Sequence, residues 1–171
     1  VLDYLTVGGV GDEFDHAGGD VSVSLWFTTE NLEVNWQALI SNGEGDAWRL
    51  ARRSGTTESA YAGGAPDIYN GDLSTEGFHH IVGISEAGVE MRLWLDGVKV
   101  TGAAPTLGDD NGNDSPMMIG NNPDSLARAW DGIIDDVGIW STALTDDEVL
   151  SIWNGGAGAS VTQGLYQPGN R

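Results

Sequence analysis

In the segment DVSVSLWFTT, residues 20–29, apolar side chains take every second position. Val21, Val23, Leu25 and Phe27 fall on one face, and Ser22, Ser24 and Trp26 on the other. Only an extended strand repeats every two residues, so this run specifies a strand with one face in a core. Further short runs follow: WQALIS (36–41), AWRLARR (47–53), ESAYAG (58–63), FHHIVGIS (78–85) and VEMRLWLDGVKV (89–100). The turn clusters NGEGD and SGTT divide them, and Asp96-Gly97 is a two-residue hairpin signal between Leu95 and Val98. The 26 glycines suit a chain with this many turns. One helix is written near the end. Thr145 and Glu148 have capping-box spacing, Asp146 and Asp147 fit the positive first turn, and Val149, Leu150 and Trp153 supply an apolar face. Gly155 offers a stop just past Asn154. The pattern predicts an all-β fold: a two-sheet antiparallel β-sandwich, or jelly roll, with one short C-terminal helix. It divides the chain into a domain over residues 1–154 and a C-terminal tail over residues 155–171.

At 171 residues the chain is about one domain long, enough to enclose a core. Its 26 acidic residues against seven basic ones give a formal charge of −19. Phosphate-bearing partners would be repelled, which argues against nucleic acid and anionic membranes. No run of about 18 apolar residues is available to span a membrane. Cysteine is absent, so neither disulfides nor thiolate zinc sites arise, and calcium is the metal that this oxygen-rich composition allows. A single lysine, Lys99, beside six arginines fits an exported protein, and the start at Val1 reads as a fragment or mature segment of a longer one. The expected location is secreted or cell-surface.

The order VSVSLWF, FHHIVGI, VEMRLWLDGVKV, MMIG and DGIIDDVGIWSTALTDDEV resembles the laminin G-like jelly rolls of the concanavalin A-like lectin and glucanase superfamily. The likeness runs from about Asp3 to Trp153, and its last segment is the most specific. The resemblance implies two curved antiparallel sheets, often a bound calcium, and an attachment or recognition role within larger extracellular proteins. It also implies a metal site in which an aspartate of the late strand joins main-chain carbonyls of the N-terminal strand and of a glycine-rich loop. In this sequence the aspartate is Asp135, and the loop is SNGEGD, with Gly43, Gly45 and Asp46. Strand parity groups Asp135 with Ile133, Val137 and Ile139, hence inward, where a carboxylate needs a cation or several donors. The alternative is that turn amides satisfy it. The oxygen-rich stretch DDNGNDSP, residues 109–116, reads as a solvated hairpin loop rather than an EF-hand.

Glycosidases of this fold need two carboxylates about 5 to 5.5 Å apart if they retain configuration. The nearest match, Glu44-Gly45-Asp46-Ala47-Trp48-Arg49, has arginine where the second glutamate would stand. His79 and His80 lie on a strand without a nucleophile beside them and read as structural, and His16 reads as exposed. Binding is therefore the expected activity. Arg49, Arg52 and Arg53 bring three of the seven basic side chains onto one strand, with Arg49 and Arg53 on one face and Arg52 with Trp48 on the other. Their guanidiniums suit carboxylate or sulfate, and Tyr61 on the next strand is the candidate stacking ring. The alternative is pairing with surrounding acidic residues. Asn121, Asn122, Arg128 and Trp130, in NNPDSLARAW, are candidates for the groove rim. Together these features predict a noncatalytic carbohydrate-recognition module of an exported multidomain protein, favouring anionic polysaccharide. The alternative is an adhesion or structural module that contacts another extracellular protein and binds no sugar.

Overall fold

A computed structural model describes residues 3–8, 14–16, 18–44, 47–63, 67–100 and 115–159. Within them the alternating runs become strands of two antiparallel sheets. The six-stranded sheet has the order β1 (Leu5–Val7), β10 (Met117–Ile119), β3 (Ala38–Ser41), β4 (Trp48–Arg52), β5 (Glu58–Gly63), β6 (Ile68–Asp72). The five-stranded sheet has the order β11 (Ile134–Trp140), β2 (Val21–Phe27), β7 (His79–Glu86), β8 (Glu90–Leu95), β9 (Val98–Lys99). The predicted β-sandwich is thus the observed fold, and Asp96 and Gly97 turn between β8 and β9 with φ of 51° and 71°. The loop over residues 109–114 lies outside the described residues.

The apolar face of β2 is fully buried. Val21, Val23, Leu25 and Phe27 pack between the sheets against Trp48, Leu50, Tyr61, Ile81, Leu93 and Trp130. A second cluster forms on the outer face of the five-stranded sheet, where Val82, Ile84 and Trp94 meet Leu144, Val149 and Ile152. Helix α1 (Asp146–Trp153) is what covers that face. Its capping box is formed: Thr145 Oγ1 accepts from the Glu148 amide at 3.3 Å, and Glu148 Oε2 accepts from the Thr145 amide at 2.8 Å. The predicted apolar face is rotated, because Ile152 and Val149 are buried whereas Leu150 is 40 % exposed. The helix ends at Asn154, which takes the left-handed cap itself with φ 49°.

One feature of β11 departs from simple alternation. Asp135 pairs with Trp26 and Gly138 with Ser24, so three steps on β11 match two on β2. The extra residue makes a β-bulge, with Asp136 in the left-handed region at φ 48°. A bulge reverses parity. Ile134, Val137 and Ile139 therefore pack toward the core, and Asp135, expected to point inward, is exposed on the outer face.

Candidate ligand-binding groove

Strand β4 sends its side chains to two faces. Trp48 and Leu50 enter the core, whereas Arg49 and Arg53 stand on the outer face of the six-stranded sheet, as their parity predicts. Their cross-strand neighbours there are small: Arg49 faces Ala62, and Ala51 faces Ala60, which in turn faces Tyr69. On this face a groove of about 580 Å³ is lined by Trp36, Arg53, Ser54, Thr56, Asp67 and Tyr69. The Arg53 guanidinium lies over the Tyr69 ring, 3.2 Å from its centroid, and pairs with Glu58 at 3.0 Å. Arg49 reaches both carboxylate oxygens of Asp67 at 3.2 Å and lies 5.4 Å from the Trp36 ring centroid. Two aromatic rings and one member of each guanidinium–carboxylate pair, Arg53 and Asp67, thus line one groove.

Trp36 carries its ring on a backbone with φ 61°, an unfavourable conformation for a bulky residue that costs about 1–2 kcal/mol. Arg52 holds that loop in place. Its guanidinium is buried, donates to the Val34 carbonyl at 2.8 Å and to the Thr56 carbonyl, and reaches Gln37 Oε1 at 3.5 Å. Burial lowers the Arg52 pKa. Arg52 is therefore not a ligand contact, contrary to expectation, but the brace behind Trp36. Tyr61 requires the same correction. It is fully buried between the sheets, its hydroxyl 2.8 Å from Ser85 Oγ, and the half-buried Tyr69 is the tyrosine that lines the groove instead.

The expected rim residues are mostly interior. Trp130 is 3 % exposed, meets Phe27 edge-on at 5.6 Å and donates to the Thr28 carbonyl at 2.9 Å. Asn121 and Asn122 are fully buried. Asn121 donates to the Leu126 carbonyl at 3.2 Å and Asn122 to Glu44 Oε1 at 2.6 Å. Arg128 also pairs with Glu44, whose other oxygen lies 4.0 Å from Arg49. These residues anchor their own loop, and none of them lines the groove. Trp36, Asp67 and Tyr69 were not among the expected site residues: Trp36 heads the run 36–41 but precedes β3, Asp67 lies outside any recognised run, and Tyr69 precedes an Asn-Gly pair that reads as a turn.

Of the expected metal-site residues, Asp135 and Gly43 are not brought together. Asp135 Oδ1 accepts from the Asp136 amide at 2.8 Å on the outer face of the five-stranded sheet, while Gly43 lies at the end of β3 in the other sheet. Gly45 and Asp46 lie outside the described residues. Among the described residues no group of three or more His, Asp or Glu side chains is close enough to hold a metal. His80 is buried, its Nε2 2.8 Å from Ser24 Oγ, and His79 bonds Asp96 at 2.7 Å, which fits the structural role expected of both. His16 is half-buried rather than exposed.

Two packed antiparallel sheets, a helix on one outer face and a groove on the other define a two-layer β-sandwich domain. A laminin G family model, described as concanavalin A-like lectin/glucanases superfamily, matches residues 3–150, and the chain belongs to this family. Among curated protein sequences none matches. Similar solved structures include a candidate carbohydrate-binding protein from Bacteroides ovatus, 17 % identical with a TM-score of 0.64, covering 84 % of this chain and 42 % of that one. A heptameric SAP-like pentraxin from Limulus polyphemus is 14 % identical with a TM-score of 0.56, covering 86 % and 71 %. Domains LG4-5 of the mouse laminin alpha1 chain are 17 % identical with a TM-score of 0.55, covering 85 % and 44 %. The chain thus spans less than half of two of these three proteins, and at such identities the likeness is one of fold. No helix among the described residues is long and apolar enough to cross a membrane.

Proposed function

We propose that the chain is a noncatalytic carbohydrate-recognition module whose ligand lies in the groove between Trp36 and Tyr69. The observation that carries this is that two aromatic rings, Trp36 and Tyr69, line one groove with Arg53 and Asp67, each held in a guanidinium–carboxylate pair. A sugar ring offers an apolar face to stack and hydroxyl groups that both donate and accept. Arg49–Asp67 and Arg53–Glu58 supply donors and acceptors together. A neutral, hydroxyl-rich saccharide bonds to these pairs as they stand. An anionic polysaccharide, the second reading, is favoured by two guanidiniums on one face, but must compete with Asp67 and Glu58 for them. The Bacteroides ovatus protein and the laminin domains lend the carbohydrate and extracellular-adhesion readings general support. A sialidase from Trypanosoma rangeli also shares the fold, over 22 % of its own length and at 15 % identity. That likeness carries no activity across, and Glu44 and Asp67 are held by arginines rather than set as an acid and nucleophile.

The test is a glycan array followed by titration of the best ligand. Trp36→Ala and Tyr69→Ala should each weaken binding about tenfold, equivalent to about 1.4 kcal/mol, without unfolding the chain. A salt-independent affinity selects the neutral saccharide, and a steep fall with ionic strength the anionic one. Absence of any glycan ligand would leave the protein-contact reading in its place. The chain should release no reducing ends from polysaccharides, and turnover abolished by Glu44→Gln would overturn the noncatalytic reading.

Calcium, implied by the resemblance, would have to displace Arg128 and Asn122 from Glu44 and Ser115 from Asp124 to bind the loops that carry these carboxylates, which is the site we favour over Asp135. Glu44 and Asp124 bring carboxylates there: the Glu44 amide donates to Asp124 Oδ2 at 2.8 Å, and Asn122 lies between them. Asn42 is fully buried nearby in the chain with neither side-chain polar atom paired, as expected of a group awaiting a partner. We propose Glu44, Asn122 and Asp124 as its holders, with Arg128 as the competing internal cation.

A further inference from the structure

A second groove of about 630 Å³ lies on the opposite outer face, beside the end of the helix. It is lined by Trp26, Phe78, Asp135, Asp136 and the turn over residues 156–159. Phe78 is 53 % exposed, a large apolar ring left in water. Trp26 is held firmly: its ring is 5.1 Å from that of His80, and a Cβ added at Gly158 would lie 3.4 Å from the indole. In a regular strand, successive side chains point to opposite faces. The β-bulge at Asp136 breaks that rule, and both carboxylates line the same groove.

Neither carboxylate has a counter-ion among the described residues. Arg49 and Arg53 belong to the other face, and Arg128 pairs with Glu44. Arg92 is held by Glu86, Glu90 and Asp146, and Lys99 by Glu90. Arg52 is buried against backbone carbonyls. Among the described residues, two adjacent aspartates therefore stand without a counter-ion beside two aromatic rings.

Aromatic faces and unpaired carboxylates attract the same kind of group, an organic cation, through ring quadrupole and charge together. A hard metal ion gains nothing from the rings, which offer it no oxygen. Carboxylates only accept hydrogen bonds, so a cation with N–H donors is served better than a quaternary one. From this charge complementarity we infer that the groove is a docking site for a primary ammonium group, namely a lysine side chain presented by a basic partner protein. The site is separate from the glycan groove, and either reading stands without the other.

The experiment is an NMR titration of the whole chain with Nα-acetyl-lysine methylamide and, separately, with its Nε-acetylated, uncharged counterpart. The charged probe should shift the Trp26 indole N–H and the amides of Asp135 and Asp136 saturably. The neutral one should bind about tenfold more weakly or not at all. Asparagine tolerates the left-handed backbone and keeps an acceptor for the Asp136 amide. The Asp135→Asn, Asp136→Asn double variant should therefore fold normally and lose the response, and Phe78→Ala should weaken it. Equal response to both probes, undiminished binding by the folded double variant, or no shift at Trp26 would each overturn the proposal.

Discussion

His80 has 1 % of its surface exposed, between Trp26 and Ser24, and burial lowers its pKa from 6.5 to about 4 despite the opposing pull of Asp96. Its Nδ1 has no hydrogen-bond partner to welcome a second proton. The native state therefore keeps a neutral imidazole over a range where the unfolded chain takes up a proton. Its contribution is fully present above pH 6.5 and is lost as pH falls toward 4, about 3 kcal/mol in all. The melting temperature should fall as pH drops from 6.5 to 5, a window above most carboxylate titration. His80→Phe should flatten that slope, and an unchanged slope would assign it to other groups. The sequence told that His80 is structural, since no nucleophile neighbours it. It did not tell where Asp135 points, because parity counting assumes an unbroken ladder and one left-handed residue, Asp136, inverts it.

Elements were legible wherever a local pattern carried its own physics. Strand β2 alternates over seven residues, the Asp96-Gly97 turn forces a hairpin, and Thr145 with Glu148 closes a capping box. Strand β6 was not legible, since Asn70-Gly71 within it has the chemistry of a turn and Gly71 does adopt φ 78°. The helix was predicted in place but rotated, because its buried side is chosen by Val82, Ile84 and Trp94 of a sheet far away in sequence. Its cap is local and gives a local prediction. Thr145→Ala removes the acceptor for the Glu148 amide and should cost about 1 kcal/mol. For a domain of this size the melting temperature should drop by roughly 2–4 °C. Because the helix borders the groove at Asp135 and not the one at Trp36, glycan affinity should stay unchanged, and an equal loss in both grooves would contradict this division of the faces.

At the scale of the whole molecule, the net charge of −19 is the dominant long-range force. The described basic side chains are spent on internal pairs, so the remaining carboxylates repel one another across the surface and oppose compaction. Sodium chloride screens that repulsion beyond about 8 Å at 0.15 M, and the melting temperature should rise with salt. Calcium should add a separate increment if Glu44, Asn122 and Asp124 hold it, because the unfolded chain cannot bring positions 44 and 124 together. At 100 times its dissociation constant the ion would stabilise the native state by about 2.7 kcal/mol. The matching rise is roughly 5–10 °C over sodium chloride of equal ionic strength. Asp124→Asn should lose this increment while keeping the response to sodium chloride, and Asp135→Asn should keep both. Equal melting temperatures in calcium and in matched sodium chloride would leave Arg128 as the cation that these loops use, and general screening as the whole of the salt effect.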